Sequence, residues 1–299
     1  MSPMKIFVTT ATGFQGGGVV RQCLRNGHIV YALVRNPSSQ AAKSLSDLGA
    51  KLVEGSLEDV ESLTKGMQNT DAVFLNLPGS GPDGMPPNVE YTRNVIKAAQ
   101  TASVPWIFCS TVINTGQHES IPGWGPDHLM YKYWIVKDAI ENLVRGSGLQ
   151  RWTIIRPAVF MQNLKPPSSQ YCFPGFDERK VLRTTYNPEA KIGWIDASDV
   201  GKVVAKALSD PERYSGKEID LAAEALTIGE LAEEIGKGIG KPVTLEPYTE
   251  DELSSMGPNI QVTAQRWASD VSTGRSAEKA AVEFGLTPVR EFFARNGGI

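Results

Sequence analysis

The sequence is poor in the residues that several functions demand. It has three cysteines, Cys23, Cys109 and Cys172, an odd number spread far apart. Two of them fall inside apolar patterns, which suits reduced core thiols better than disulfides. Its three histidines, His28, His118 and His128, share no metal-ligand spacing, so no metal site is expected. No apolar run reaches the roughly 18 residues of a membrane span, and no charged-then-apolar leader opens the chain. A block of basic residues interleaved with aromatics is also missing, and the formal net charge is −3. Direct binding to nucleic acid is therefore not expected. The compartment these absences lead one to expect is the cytoplasm, away from membranes.

What the sequence does contain is a core. The 299 residues are 41% hydrophobic and 21% charged, which suits a folded chain with one large or two modest domains. "KIFVTT" is a short β-rich run, and "GGVVRQCLRNG" has helical apolar spacing that stops at Gly27. "HIVYALVR" is a second strand and "AKLVEG" a third. A helix over "EDVESLTKGM", the strand "DAVFLNLP", a helix over "VEYTRNVIKAAQTAS" and the strand "PWIFCST" continue the alternation. Strands separated by helices pair in parallel through right-handed crossovers. The near-continuous apolar strands predict helices on both faces of the sheet. The fold class is α/β, a doubly wound parallel sheet of Rossmann type. Residues 1–157 form this nucleotide-binding part. Residues 158–299 form mainly a smaller α/β substrate region, partly interleaved with the first because no long linker separates them.

Between the first strand and first helix lies "VTTATGFQGGGVV". Main-chain N–H groups at a helix start lack partners within the helix and carry partial positive charge, so a diphosphate can accept from them if no side chain intrudes. Gly13 and Gly16 provide that clearance, with Thr10, Thr12, Phe14 and Gln15 completing the expected cradle. Thr10 takes the first place of the pattern T-x-x-G-x-x-G, so a residue with a Cβ must make the tight turn. About 20 residues after the glycines, where a carboxylate would select the unphosphorylated dinucleotide, stand Arg35 and Asn36. A guanidinium there matches a 2′-phosphate, favouring NADP(H); otherwise Arg35 is a solvated strand-end arginine. Asn76, closing the strand "DAVFLNLP", is expected on the same cofactor.

Tyr133 and Lys137 form Y-x-x-x-K, an i, i+4 pair on one helix face, whereas the spacing of Tyr131 from Lys137 puts those two on different faces. In such a pair the lysine's charge lowers the phenol pKa, so that tyrosine can exchange a proton with a substrate oxygen. Thr111, or alternatively Ser110, ends the fifth strand and is the candidate hydroxyl partner. The same helix also reads simply as amphipathic with aromatic core residues.

"VTTATGFQG", "ALVRNP", "YWIVK", "IENLVRGSGLQRWTIIRPAVFMQN" and "WIDASDVGKVVAKAL" together resemble the NmrA-like family, an atypical branch of the extended short-chain dehydrogenase/reductase superfamily. The resemblance runs nearly end to end. It implies that the first motif binds pyrophosphate, Arg35 the 2′-phosphate and Lys137 the nicotinamide ribose, while the segment ending in Asn163 lines the nicotinamide side. Two departures touch cofactor affinity: Thr10 replaces a glycine, and Ser56 stands where many relatives have an aspartate facing the adenine. Because the family includes NADP(H) sensors as well as reductases, two functions are open. One is an NADPH-dependent oxidoreductase acting on a carbonyl or activated alkene of a small apolar molecule. The other is a non-catalytic redox-sensing regulator, working through a protein partner and extending to the nucleus.

Farther along, "FMQNLKPPSSQYCFPGF" lacks clear periodicity and reads as a substrate loop, faced by the loop "IPGWGPDH". Trp124, Phe160 and Phe173 either cover a flat ligand or simply pack. Ser198 or Asp199 caps a helix, so Asp196 and Asp199 read as structural. Thr227 and Glu230 make a capping box for a helix that Gly240 and Pro242 stop.

Overall fold

Alternating apolar runs and amphipathic helices give the first half of the chain its architecture. The computed structural model describes residues 2–79, 85–121, 123–271 and 277–295. In chain order come β1 (Lys5–Val8), α1 (Phe14–Arg25), β2 (Ile29–Val34), α2 (Gln40–Asp47), β3 (Lys51–Glu54) and α3 (Val60–Gly66). Then follow β4 (Ala72–Leu75), α4 (Asn88–Thr101), β5 (Trp106–Ser110), α5 (Tyr131–Arg145) and β6 (Arg151–Pro157). The sheet order is Lys217–Leu221, β6, β5, β4, β1, β2, β3. β1 pairs in parallel with β2 on one side and β4 on the other, so strand order reverses at β1. In a doubly wound sheet the crevice beyond the carboxyl ends of strands at that reversal is where ligands bind.

The sheet is covered on its faces, and Phe7, Val73, Leu75, Ile107, Cys109 and Ile154 are fully buried within one core cluster. α2, capped by Ser39, is a helix the apolar spacing did not announce, because only Ala42 and Leu45 of it are buried. Gly27 ends the α1 turn in the left-handed region at φ 77°.

The chain divides into two compact units. The first comprises residues 1–115, 135–156 and 198–219, the second residues 116–134, 157–197 and 220–299. Segment 198–219 joins the first unit through glycine. A Cβ on Gly18 of α1 would lie 2.4 Å from the Ser198 carbonyl, and one on Gly201 would lie 2.3 Å from the Gly18 carbonyl. α1 and the helix Val200–Ser209 therefore meet backbone to backbone, and both positions exclude any side chain.

In the second unit Val159–Phe160 runs parallel to Ile192–Ile195, which pairs antiparallel with Glu224–Leu226. Phe173, Phe176, Trp194 and Phe293 are buried in its core. Phe173 is thus a packing residue, 6.3 Å from Trp194 between ring centroids. The aperiodic segment around it forms two short helices, Ser169–Cys172, which buries Ser169, and Phe176–Arg179, which buries Phe176. The capping box of Thr227 and Glu230 is present, and Gly240 closes that helix at φ 69°. Gly238 within it has a packing role, since a Cβ there would stand 2.7 Å from the Arg290 carbonyl.

Candidate functional site

At the end of β1 the chain turns sharply into α1, and Thr10 makes that turn at φ 44°, in the left-handed region. A β-branched residue pays about 1–2 kcal/mol to sit there, so something must hold it. Asn76, just beyond β4, does so. Its Nδ2 donates to Thr10 Oγ1 at 2.8 Å, and its main-chain N donates to Thr9 Oγ1 at 2.9 Å. Thr9 Oγ1 returns a bond to the Asn76 carbonyl at 2.7 Å. Gln15, in the first turn of α1, donates from Nε2 to Asn76 Oδ1 at 3.1 Å, and Ser110 Oγ donates to Gln15 Oε1 at 2.6 Å. A chain of side chains from β1 through β4 and α1 to β5 thereby fixes the strained turn. Asn76 and Gln15, both expected on the cofactor, are members of this chain and hydrogen-bond to each other.

The two glycines have different jobs. Gly13, the residue preceding α1, has ordinary extended backbone at φ −82°, and no side chain caps the helix there. Nor does the first turn contain an acidic residue. A Cβ on Gly13 would come within 3.3 Å of one atom only, the Thr10 carbonyl oxygen. The helix start is therefore an uncapped, electropositive ring of N–H groups with no carbon in front of it. Gly16 is needed by the fold itself, because a Cβ would lie 2.4 Å from the Thr10 carbonyl and 2.9 Å from Ala11 Cα. Gly16→Ala is expected to lower stability by about 1–3 kcal/mol, read as a fall of several degrees in thermal unfolding. An unchanged melting temperature would contradict this close approach. Thr12 is exposed, and Phe14 is 57% exposed at the head of α1.

Beyond β2, Arg35 and Asn36 are exposed. The Asn36 carboxamide accepts from the Ser38 main chain at 2.9 Å, a local turn that leads into the Ser39 cap of α2. Asn36 thus shapes the loop, and the guanidinium of Arg35 is the cation that this loop presents.

On α5 the Tyr133, Lys137 and Glu141 positions recur every four residues along one face. Burial pulls the Lys137 ammonium below its ordinary value, opposed by the charges of Cys109 and Glu141. Glu141 is wholly buried and heavily hydrogen-bonded. It accepts from Thr111 Oγ1 at 2.6 Å, from Arg145 at 2.6 Å, and from Arg156 through Nε at 2.9 Å and Nη2 at 2.6 Å. The hydroxyls expected at the end of β5 have protein partners: Thr111 donates to Glu141 and Ser110 to Gln15. Spacing could not reveal this, because the competing acceptors come from α5 and α1.

In the second unit the ring of Tyr133 stands edge-on to Trp134, 5.2 Å between centroids. Burial pushes its phenol up to about 12, the reverse of the lowering expected from the Tyr133/Lys137 spacing. Tyr131 belongs to a different group, 5.1 Å from Trp124, which also contacts His118 at 4.9 Å and His128 at 5.8 Å. Trp124 is thus packed among the rings of His118, His128 and Tyr131. Asn163 is half-buried in the turn Met161–Leu164. Its neighbour Gln162 makes the notable contacts, donating to Asp196 at 2.7 Å and accepting from Ala197 N at 3.0 Å. Asp196 therefore anchors the 161–164 turn, in keeping with a structural role.

Among the described residues no three His, Cys, Asp or Glu side chains gather as metal ligands, and no helix is long and apolar enough to cross a membrane. Cys23 and Cys109 are buried thiols that burial raises to about 12, which makes them poor nucleophiles.

A doubly wound sheet with a glycine turn at its reversal occurs in many proteins, so family membership has to come from the whole chain. The pattern of the NmrA-like family matches residues 2–279. The chain belongs to the NmrA-like family. An NAD(P)H azoreductase from Xenophilus azovorans is 29% identical to this NmrA-like chain over 242 residues, covering 80% of it and 75% of the relative. Two solved structures share the fold. NmrA itself, a negative transcriptional regulator solved with NADP, superposes with a TM-score of 0.77 at 19% identity over 98% of this chain and 95% of its own. An NADPH-dependent quinone oxidoreductase from Escherichia coli, solved with NADPH, gives 0.75 at 22% identity over 97% and 99%.

Proposed function

We propose that this NmrA-like protein is an NADPH-dependent reductase of a carbonyl or activated alkene in a small apolar molecule. The uncapped start of α1, with Gly13 in front of it and a locked Thr10 turn behind it, carries the reading. Those N–H groups would hold the diphosphate, and Arg35 would hold the 2′-phosphate as a planar fork. Lys137 would bind the nicotinamide ribose, with Asn163 lining the nicotinamide side, and Tyr133 would give the proton to the substrate oxygen. Bound NADPH supplies the hydride. A phenol raised to about 12 remains protonated throughout the working range and is therefore a donor in the reductive direction. Ser110 and Thr111 act in this reading by holding α1 and α5 in place, without touching substrate. The relationship to an azoreductase and the fold shared with a quinone reductase support small, flat, electron-poor substrates.

The experiment is a calorimetric titration with NADP(H), followed by NADPH oxidation against a panel of quinones, enones, aldehydes, ketones and azo compounds. Tight NADPH uptake with turnover of at least one class is expected. Gly13→Ala is expected to weaken NADPH binding by about tenfold or more, equal to ~1.4 kcal/mol, while melting within a few degrees of the parent. Full affinity in that variant would remove α1 as the diphosphate cradle. The fold shared with a transcriptional regulator favours a second reading, an NADP(H) sensor acting through a protein partner. It predicts binding without turnover of any panel member, and partner affinity that changes with cofactor redox state.

A further inference from the structure

The pairing of β2 with β3 places a carboxylate beside the Arg35 loop. Val34 stands opposite Glu54, and Gly55 N donates to the Val34 carbonyl at 3.1 Å. Arg35 and the segment Ser56–Glu58 therefore leave the sheet as neighbours, at the end where the second strand's loop would meet an adenosine ribose. Glu58 is exposed, yet its carboxylate is fixed. It accepts the phenol hydrogen of Tyr91 from α4 and a hydrogen bond from Ser56. The same segment is tied down by Asn94 Nδ2, which donates to the Leu57 carbonyl at 3.0 Å, while the Leu57 side chain is buried. The two donors hold the Glu58 carboxyl below its ordinary value, and the positive field of Arg35 acts in the same direction. Tyr91 feels both charges as well, its phenol raised by Glu58 and lowered by Arg35.

We propose that Glu58 is a specificity-determining residue of the dinucleotide site, whose fixed carboxylate beside Arg35 opposes a 2′-phosphate and offers an acceptor to a 2′-hydroxyl. The inference rests on the reading of Arg35 and α1 as that site. An arginine alone would select strongly for the phosphorylated form. With a like-signed carboxylate held nearby, part of that selectivity is cancelled, so the site accepts both NADP(H) and NAD(H). The Tyr91 and Ser56 bonds matter because a mobile glutamate would swing into solvent and let the phosphate pass.

The test uses 2′,5′-ADP and 5′-AMP, fragments that report on the adenosine end alone, titrated calorimetrically into the full chain and into Glu58→Gln and Glu58→Ala. Both variants remove one exposed charge, and thermal unfolding checks that each is folded. The preference for 2′,5′-ADP over 5′-AMP is expected to rise about five- to tenfold in each variant at low salt, and by less at high salt. NADP⁺ and NAD⁺ should show the same shift. If the wild-type chain binds none of the four, the dinucleotide reading falls and this inference with it. If it binds them and the ratio in both variants stays within about twofold of the parent, the dinucleotide site stands and Glu58 has no part in its selectivity.

Discussion

Tyr133→Phe is expected to lower the rate of substrate reduction by about 10²- to 10⁴-fold while leaving NADPH binding intact. The phenol is the one donor on α5 that the proposed reaction asks to give up a proton. Phenylalanine keeps the ring against Trp134, 5.2 Å away, so packing is preserved and only the hydroxyl is lost. The pH profile separates this role from a structural one. Because burial raises the Tyr133 phenol to about 12, its ionisation should leave no limb near the ordinary value of 10. Lys137 moves the other way. Its ammonium is destabilised by burial, so it loses its proton below the ordinary 10.5, and activity should fall as pH rises through that lowered value. Turnover by Tyr133→Phe at the parental rate would take Tyr133 out of the reaction. A basic limb that persists unchanged in Lys137→Arg would take Lys137 out of the profile.

The largest loss of stability is expected from Glu141→Ala, about 3–5 kcal/mol, because one carboxylate satisfies two arginines and a buried threonine. Removing it takes from Arg156, whose side chain is 13% exposed, one of its two carboxylate partners and leaves Glu218 at 2.7 Å. Urea unfolding should show this as a lower midpoint with a similar slope. A change under about 1 kcal/mol would mean that Glu218, already paired with both arginines, and water suffice without Glu141. Glu218 also ties this cluster to pH. Burial pushes its carboxyl up, but hydrogen bonds and charge from Arg145 and Arg156 outweigh that and leave it below the ordinary 4.5. A carboxyl lowered by folding stabilises fully above its unfolded value, and that contribution disappears as pH falls through the folded one. Stability measured from pH 7 downward should therefore hold above the ordinary carboxylate range and drop below it, with a smaller drop in Glu218→Gln.

Residues close in sequence are legible where one local rule settles them. The capping box of Thr227 and Glu230 is an example: two side chains three residues apart can find only each other's main chain. The turn at Thr10 is another, since a sharp strand-to-helix turn needs positive φ whichever residue occupies it. Apolar runs gave the parallel strands because burial on both faces leaves no alternation to misread. Side chains with a choice of partner were harder. Ser110 and Thr111 are adjacent hydroxyls at a strand end, equivalent by spacing, yet one donates to α1 and the other to a buried carboxylate on α5. Asn76, which spacing places on the cofactor, is held to Thr10 by a contact that spacing does not show. Phe173 lay in a stretch without periodicity and proved to be core, since a single aromatic can be buried without a repeating pattern.

By itself, then, the order of residues determined the alternating architecture, the glycine-lined helix start, the cation after the second strand and the Tyr133/Lys137 spacing. Each follows from backbone stereochemistry or helical geometry over a few residues. Only the tertiary structure decided which hydroxyls are already engaged, that Glu141 gathers Thr111, Arg145 and Arg156, and that Glu58 accepts from Tyr91 of α4. Those facts depend on contacts between strands and helices dozens of residues apart, where hydrogen-bond competition is settled by distance in space rather than by position along the chain.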